Sequence, residues 1–436
     1  MIGFAGLSHL GLNYSLATAA KGFDVIAYDP DPALTARCAA GDFPIEEPGF
    51  RELFDKHRAR LRYTSDASDL GKCDLVFYSL DVRTNERNES DLGPLTGLIE
   101  ATAPQLAGGS TAVVLSQVSP GYMRKLRARL RGISPADFYY QVETLIFGRA
   151  VERAMEPERY IVGADAPDRP LPKVFAEWHA AFGCPVLVMR LESAELAKIA
   201  INFFLVSSVA TTNTLAEICE AIGADWSEIV PALRLDKRIG PYAYLTPGLG
   251  IAGGNLERDL VTVQSISARH GTDTGIVRAW QHNSEHRRKW ALRQLQQATS
   301  PGKKGLLIAV WGLAYKVDTH STKNSPALEL LRSLGEHRIQ AHDPVAQIDG
   351  SEFPHVTTFP TAFDAARDAD ALIVMTPWRA YASLPVAELP QLLRGRLIID
   401  PHAVLDGAEC QRLGFQYHRL GQGRASGHVA NVADEA

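Results

Sequence analysis

Met1-Ile-Gly-Phe-Ala5 runs straight into Gly6-Leu7-Ser8-His9-Leu10-Gly11. An amphipathic stretch ending near Lys21-Gly22 comes next, and then Phe23-Asp-Val-Ile-Ala-Tyr28-Asp29. An apolar strand, a glycine turn, a helix and a second strand make a β–α–β unit, and that unit sets the fold class of the N-terminal part of the chain. Gly6 permits the tight turn. The helix N-terminus at Ser8, His9 and Leu10 offers free backbone N–H groups and the positive end of its dipole to a pyrophosphate. Gly11 lets the helix pack closely on the strand. Asp29 stands where a carboxylate accepts from adenosine ribose hydroxyls, which favours NAD over NADP, whose extra phosphate it would repel. Ser8 departs from the usual second glycine. Its Cβ crowds the backbone's approach to the pyrophosphate, while its hydroxyl can donate to phosphate. The competing reading is the same turn without a ligand.

Working outward, Asp74-Leu-Val-Phe-Tyr-Ser-Leu80 and Ser110-Thr-Ala-Val-Val-Leu115 are apolar runs without alternation, as buried parallel strands should be. Glu192 to Asn202 and Val206 to Glu220 read as helix, either domain-linking and dimer-forming or simply buried in a monomer. After a polar linker at Ser300-Pro-Gly-Lys-Lys304 a second α/β unit begins. Its strands are Gly305-Leu-Leu-Ile-Ala-Val-Trp311, Asp370-Ala-Leu-Ile-Val-Met-Thr-Pro-Trp378 and Leu397-Ile-Ile-Asp400, and Ser325 caps a helix with Pro326 at its first position. The fold class is α/β: two Rossmann-like, doubly wound parallel-sheet domains joined by a central helical domain. The expected divisions are 1–190, 191–298 and 299–425, with a disordered tail over 426–436.

The bulk composition is that of a globular chain: 436 residues, 46% hydrophobic and 22% charged. A net charge of −5 argues against a nucleic-acid partner. No apolar run of transmembrane length is expected, nor a signal peptide, so no membrane partner is expected. Five scattered cysteines (Cys38, Cys73, Cys184, Cys219, Cys410) without a CxxC pair fit a reducing cytoplasm, and no metal site is expected.

Gly248-Leu-Gly-Ile-Ala-Gly253-Gly-Asn255-Leu-Glu-Arg-Asp259, led by Asp236-Lys-Arg238-Ile-Gly240 and Tyr244-Leu-Thr-Pro247, resembles the active-site loop of the UDP-glucose/GDP-mannose dehydrogenase family, roughly Gly-Gly-Ser-Cys-x-Pro-Lys-Asp. Similar stretches keep the family's order along nearly the whole chain. Gly41 to Gly49 resembles the segment after the second strand, and Val142-Glu143-Thr-Leu-Ile-Phe147-Gly148-Arg-Ala150 resembles Pro-Glu-Phe-Leu-x-Glu-Gly-x-Ala. Met155-Glu-Pro157-Glu-Arg159 resembles the Pro-x-Arg that precedes a strand. Asn213 and Glu217 fall in a family-like Asn-x-x-Ala-Glu pattern, Gly312-Leu-Ala-Tyr315-Lys316 resembles Gly-Leu-Ala-Phe-Lys, and His342-Asp343-Pro344 resembles Tyr-Asp-Pro.

The resemblance implies an NAD-dependent oxidoreductase acting on a nucleotide sugar in polysaccharide or glycoconjugate biosynthesis, working as a homodimer. It implies that Lys198 and Asn202, one turn apart on a helix, hold the reacting sugar and the developing oxyanion. Asp259 would share a water or proton with the lysine, and Glu143 would handle protons. Arg238, Tyr244, Gly253, Lys316 and Lys323 would bind the sugar nucleotide, Arg238 reaching across a dimer or domain interface. The departures cluster around the chemistry. Asn255 falls on the nucleophilic cysteine and Phe147 on the second acid. Gln117 falls on a threonine near the nicotinamide. Val82-Arg83 stands where the family has Thr-Pro, Glu257-Arg258 replaces Pro-Lys, and Lys323 replaces an arginine fork with a point charge.

Family members oxidise a primary alcohol to a carboxylate in two hydride transfers. The second transfer needs a thiohemiacetal, because a free aldehyde carries no tetrahedral hydride donor, and a carboxamide cannot form one. Asn255 reads equally as a turn residue or a hydrogen-bonding group to substrate. The expectation is a single two-electron hydride transfer on a UDP-sugar, giving an aldehydo- or keto-sugar. The alternatives are an NAD-retaining, redox-neutral epimerase, a catalytically inactive nucleotide-sugar-binding homologue, or a slow complete oxidation through a gem-diol.

Overall fold

The computed structural model describes residues 1–85, 87–130, 138–300 and 302–423. The tail expected to be disordered lies outside them. The chain divides into two compact units, Met1–Ile201 and Asn202–Ala436.

The first unit is built on an eight-stranded sheet. Its strands are β1 (Ile2–Ala5), β2 (Val25–Tyr28), β3 (Leu61–Thr64), β4 (Leu75–Tyr78), β5 (Thr111–Val114), β6 (Phe138–Gln141), β7 (Tyr160–Ala164) and β8 (Val186–Arg190). Their order is β3-β2-β1-β4-β5-β6-β7-β8. Every pairing is parallel except β6 with β7. Strands β1, β2, β4 and β5 are buried along their whole length. That is why they read as continuous Val, Ile, Leu, Phe and Ala runs, with both faces covered by helices. The reversal of direction on either side of β1 opens a crevice at the strands' carboxyl ends, the place where such sheets bind ligands. Helix α1 (His9–Ala20) starts in that crevice.

The second unit carries a six-stranded, wholly parallel sheet. It comprises β9 (Leu307–Trp311), β10 (Arg338–His342), β11 (Val356–Thr358), β12 (Ala371–Val374), β13 (Leu397–Ile399) and β14 (Gln416–His418), ordered β11-β10-β9-β12-β13-β14. Before that sheet the unit is helical, and α4 (Asn255–His270) and α5 (Gly275–Arg288) belong to this part. Ser325 caps the helix Pro326–Ser333 as its sequence predicts, accepting from Ala327 N at 3.2 Å with proline in the first turn.

Helix α3 (Leu191–Ile222) is one unbroken run of 32 residues. The sequence reading expects no apolar stretch of membrane-spanning length, and here it is corrected: by length and composition this helix is long enough. The stretch is interrupted by charged side chains, and these find protein partners. Glu195 is fully buried. Its carboxylate accepts from Gly121 N at 2.6 Å and Met123 N at 2.8 Å, at the start of helix α2 (Tyr122–Arg129).

Burial raises the Glu195 carboxyl to about 7, outweighing the two N–H donors that favour its charged form. The folded state therefore binds this proton more tightly than the unfolded state. Stability from the group is fully present below the ordinary carboxylate value and falls as pH rises through the window up to about 7. Denaturant unfolding of wild type and Glu195→Gln between pH 4 and pH 8 is expected to show the wild type losing about 1–3 kcal/mol relative to the variant across that window. A constant difference would contradict this assignment.

Candidate active site

The turn that opens α1 has the geometry a dinucleotide needs. Gly6 sits at φ +98°, where a side chain is strained. A Cβ on Gly11 would come within 1.9 Å of the Gly6 carbonyl oxygen, so only glycine lets the helix approach the turn. Asp29, buried at the end of β2, accepts from Leu7 N at 2.9 Å and from Asp31 N at 3.0 Å. Its two oxygens have lone pairs left for ribose hydroxyls. Ser8 forms the N-cap without making a side-chain cap bond. Its hydroxyl instead ties the turn to the end of β4, donating to Ser79 O at 3.1 Å and accepting from Asp81 N at 2.8 Å. These residues fit the dinucleotide that the sequence implies. Gln117 is half-buried just beyond β5, next to Ser116, whose hydroxyl donates to Leu80 O at 2.6 Å.

His9 adds a contact that the motif does not reveal. Its Nε2 lies 2.7 Å from Glu47 Oε1. The Glu47 carboxylate also accepts from the backbone N–H groups of Gly148 and Ala150, each at 3.1 Å. The His9 ring packs on Phe147, centroid to centroid 4.3 Å. Glu47 was legible only as part of a family-like segment; what it binds depends on long-range packing.

Glu143 lies just after β6, and its Oε1 is 2.9 Å from Lys198 Nζ. Lys198 also donates to the Glu143 carbonyl at 3.1 Å, and both side chains are largely shielded, at 13% and 16% exposed. The sequence treats them as separate groups, and the structure makes them an ion pair.

In the second unit, Asn202 donates its amide to Asp259 Oδ2 at 2.6 Å. Asp259 is 2% exposed in its side chain and Arg258, 5% exposed, reaches its Oδ1 at 3.4 Å. The glycine loop before α4 is shaped by close approaches. Gly250 (φ +82°) lies against Ser284, and Gly253 (φ +85°) lies so near the Tyr315 ring that a Cβ would come within 2.7 Å. Asn255 is the first residue of α4 and is exposed. Glu257, one turn in, pairs with Arg288 and accepts from Asn324, which also donates to Gly253 O at 2.8 Å. Burial raises the Glu257 carboxyl, while Arg288 and Lys323 oppose the shift. Lys316 sits over the Tyr315 ring at 5.8 Å. Tyr244 is half-exposed, and its carbonyl accepts from Thr212. Arg238 is 89% exposed and pairs with Asp236. Arg258 and Arg288 are the functional candidates that the sequence reading passes over.

Removing Arg258 would take a cation 3.4 Å away from a buried carboxylate. Arg258→Met is expected to lower unfolding free energy by about 3–5 kcal/mol, and Asp259→Asn in the same background to restore part of it. Additive losses in the double variant, measured by denaturant titration, would contradict a paired charge.

Comparison with known proteins places the whole chain. Residues 1–180, 192–285 and 309–407 match, in turn, the NAD binding, central and UDP binding domains of the UDP-glucose/GDP-mannose dehydrogenase family. The UDP-glucose 6-dehydrogenase TuaD of Bacillus subtilis is 28% identical over 433 residues, covering 97% of this chain and 93% of that protein. The UDP-glucose 6-dehydrogenase of Pseudomonas aeruginosa is 27% identical over 452 residues, covering 98% and 99%. Among solved structures, the UDP-glucose dehydrogenase of Pyrobaculum islandicum superposes with a TM-score of 0.81 at 26% identity, covering 92% of this chain and 94% of that one. The UDP-D-ManNAc dehydrogenase of Pyrococcus horikoshii has the same fold, with a TM-score of 0.80 at 22% identity and coverage of 97% and 99%.

Proposed function

This chain belongs to the UDP-glucose/GDP-mannose dehydrogenase family and uses NAD, and from that premise we propose that it oxidises a UDP-sugar by one hydride transfer and stops. With NAD bound as the hydride acceptor, the reacting hydroxyl would lose its proton to a protein carboxylate and an aldehydo- or keto-sugar would leave. NAD supplies the two-electron acceptor. The protein supplies orientation and charge.

Lys198 places an ammonium where an alkoxide develops, and its Glu143 partner at 2.9 Å is an acceptor for the departing proton. One turn along α3, Asn202 spends one amide hydrogen on Asp259 and keeps another for a sugar oxygen. Arg258, at 3.4 Å from its Oδ1, helps to orient Asp259. Gly6, Ser8, His9, Leu10, Gly11, Asp29 and Gln117 hold the cofactor in this reading. Arg238, Tyr244, Gly253, Lys316 and Lys323 hold the sugar nucleotide.

The observation that carries the proposal is Asn255, an exposed carboxamide at the start of α4 where a nucleophile would stand. No thiolate is at hand to replace it. Burial raises Cys38 to about 11, and Cys73 and Cys410 to about 12, and it raises Cys184 and Cys219 as well. Without a covalent thiohemiacetal the second hydride has no tetrahedral donor. Free cysteines and the family assignment also support a cytoplasmic enzyme.

A homodimer belongs to the same reading. Phe204, Leu215, Ile218 and Ile222 form one stripe on α3, exposed between 41% and 78%, which a second copy would cover. Sedimentation as a monomer at micromolar concentration would remove this part.

Restoring the thiol tests the chemistry. Asn255→Cys is expected to gain a uronate product from a UDP-sugar, detected by mass spectrometry. Lys198→Met is expected to lose about 100-fold or more in turnover while still binding the sugar nucleotide. Uronate formed by the unaltered chain at the same rate as by the cysteine variant would contradict the proposal. An isomerised sugar without free NADH would identify the redox-neutral alternative.

A further inference from the structure

The N-terminus of α1 is where a dinucleotide's pyrophosphate takes its backbone hydrogen bonds. In this chain one of those donors is already engaged. Leu10 N donates to Asp81 Oδ2 at 3.3 Å, and Asp81 N donates in turn to the Ser8 hydroxyl at 2.8 Å. Asp81 belongs to the segment beyond β4, facing the turn that opens α1, and the residue is open to solvent. Helix α1 has no acidic residue in its own first turn, so the negative charge at this pole comes from a separate segment.

We propose that the Asp81 carboxylate is an internal anion that competes with the cofactor's pyrophosphate for the start of α1, so that NAD must displace it to bind. The proposal rests on NAD binding at this turn and adds a residue that sets the affinity. The other charges around Asp81 do not cancel it. Desolvation raises the Asp81 carboxyl, while the Ser8 hydroxyl, His9 and Leu10 N oppose that shift and favour the anion; His9 is itself paired with Glu47. Glu143, beyond β6, repels it and is paired with Lys198. A pyrophosphate brought to the same N–H groups meets a like charge at short range, with a helix end that attracts either anion but satisfies only one at Leu10. Asp81 is thus an affinity-setting residue that holds the cofactor site in a weakly binding state and leaves the adenosine end untouched.

Calorimetry on the full chain with three probes isolates this effect: NAD and ADP-ribose, which carry the pyrophosphate, and adenosine, which lacks it. Asp81→Asn keeps the shape and an acceptor for Leu10 N while removing the charge, and Asp81→Ala removes both. At pH 8 both variants are expected to bind NAD and ADP-ribose about tenfold more tightly than the wild type, with adenosine unchanged. Unchanged or weaker NAD binding, in either variant that melts at the wild-type temperature, would overturn the proposal. Equal tightening of adenosine would also overturn it, by locating the effect in the adenine end. If wild type and variants alike bind adenosine but neither pyrophosphate ligand, the assignment of the pyrophosphate to this turn fails, and the proposal with it.

Discussion

Helix α3 buries one face that carries polar and charged groups water would otherwise solvate, and each of those described below is met by a protein partner. An unpaired buried charge costs several kcal/mol, and an unmade buried hydrogen bond about 1–3 kcal/mol. Glu195 is met by two backbone N–H groups and Lys198 by the Glu143 carboxylate and carbonyl. Asn202 is met by Asp259, and Asn213 accepts from Gly248 N at 2.8 Å at the head of the glycine loop. Further along, Glu217 and Glu220 bracket the fully buried Arg287, and Glu220 also accepts from Trp290 Nε1 at 2.7 Å. In the first unit the partners come from the start of α2 and the segment after β6, and in the second from the glycine loop, α4, α5 and Trp290 just beyond it.

The chemistry depends on what these pairs supply and what they omit. In the proposed reaction the Lys198 ammonium polarises an alcohol and the Glu143 carboxylate beside it receives the proton. They do not convert an aldehyde into a hydride donor. In the proposed reading the position that would do so holds Asn255, which follows a loop whose Gly250 and Gly253 leave no room for side chains. The loop is otherwise firmly held, by Glu257 through Arg288 and Asn324.

Local patterns in the chain carried the strands, the turn at Gly6 and the cap at Ser325, because these depend on residues within a few positions of one another. The strands came out shorter than the apolar runs that mark them: Val25–Tyr28 within a run beginning at Phe23, and Ala371–Val374 within one extending to Trp378. Pairing with a neighbour, not hydrophobicity, sets a strand's ends. The helix read from Glu192 to Asn202 and on through Val206 to Glu220 is one run, Leu191–Ile222. Long-range partnerships were hidden. Arg258 reads only as part of the replacement of Pro-Lys until Asp259 is found buried beside it. Glu47 and Asp81 are unremarkable acids in loops until the fold brings them to α1. The lysine and glutamate that the family likeness suggests separately are one ion pair, which only the antiparallel turn between β6 and β7 and the start of α3 brings together.

The count of electrons removed per sugar bears most directly on the central claim. Purified protein with NAD and a UDP-sugar substrate, taken to completion, yields NADH by absorbance and consumed sugar by chromatography. One NADH per sugar, with an aldehyde or ketone recovered, is the result that Asn255 and the Lys198–Glu143 pair require. Two NADH per sugar, with a uronate recovered, would mean that this site completes the oxidation without a thiol, and would contradict the single-transfer chemistry.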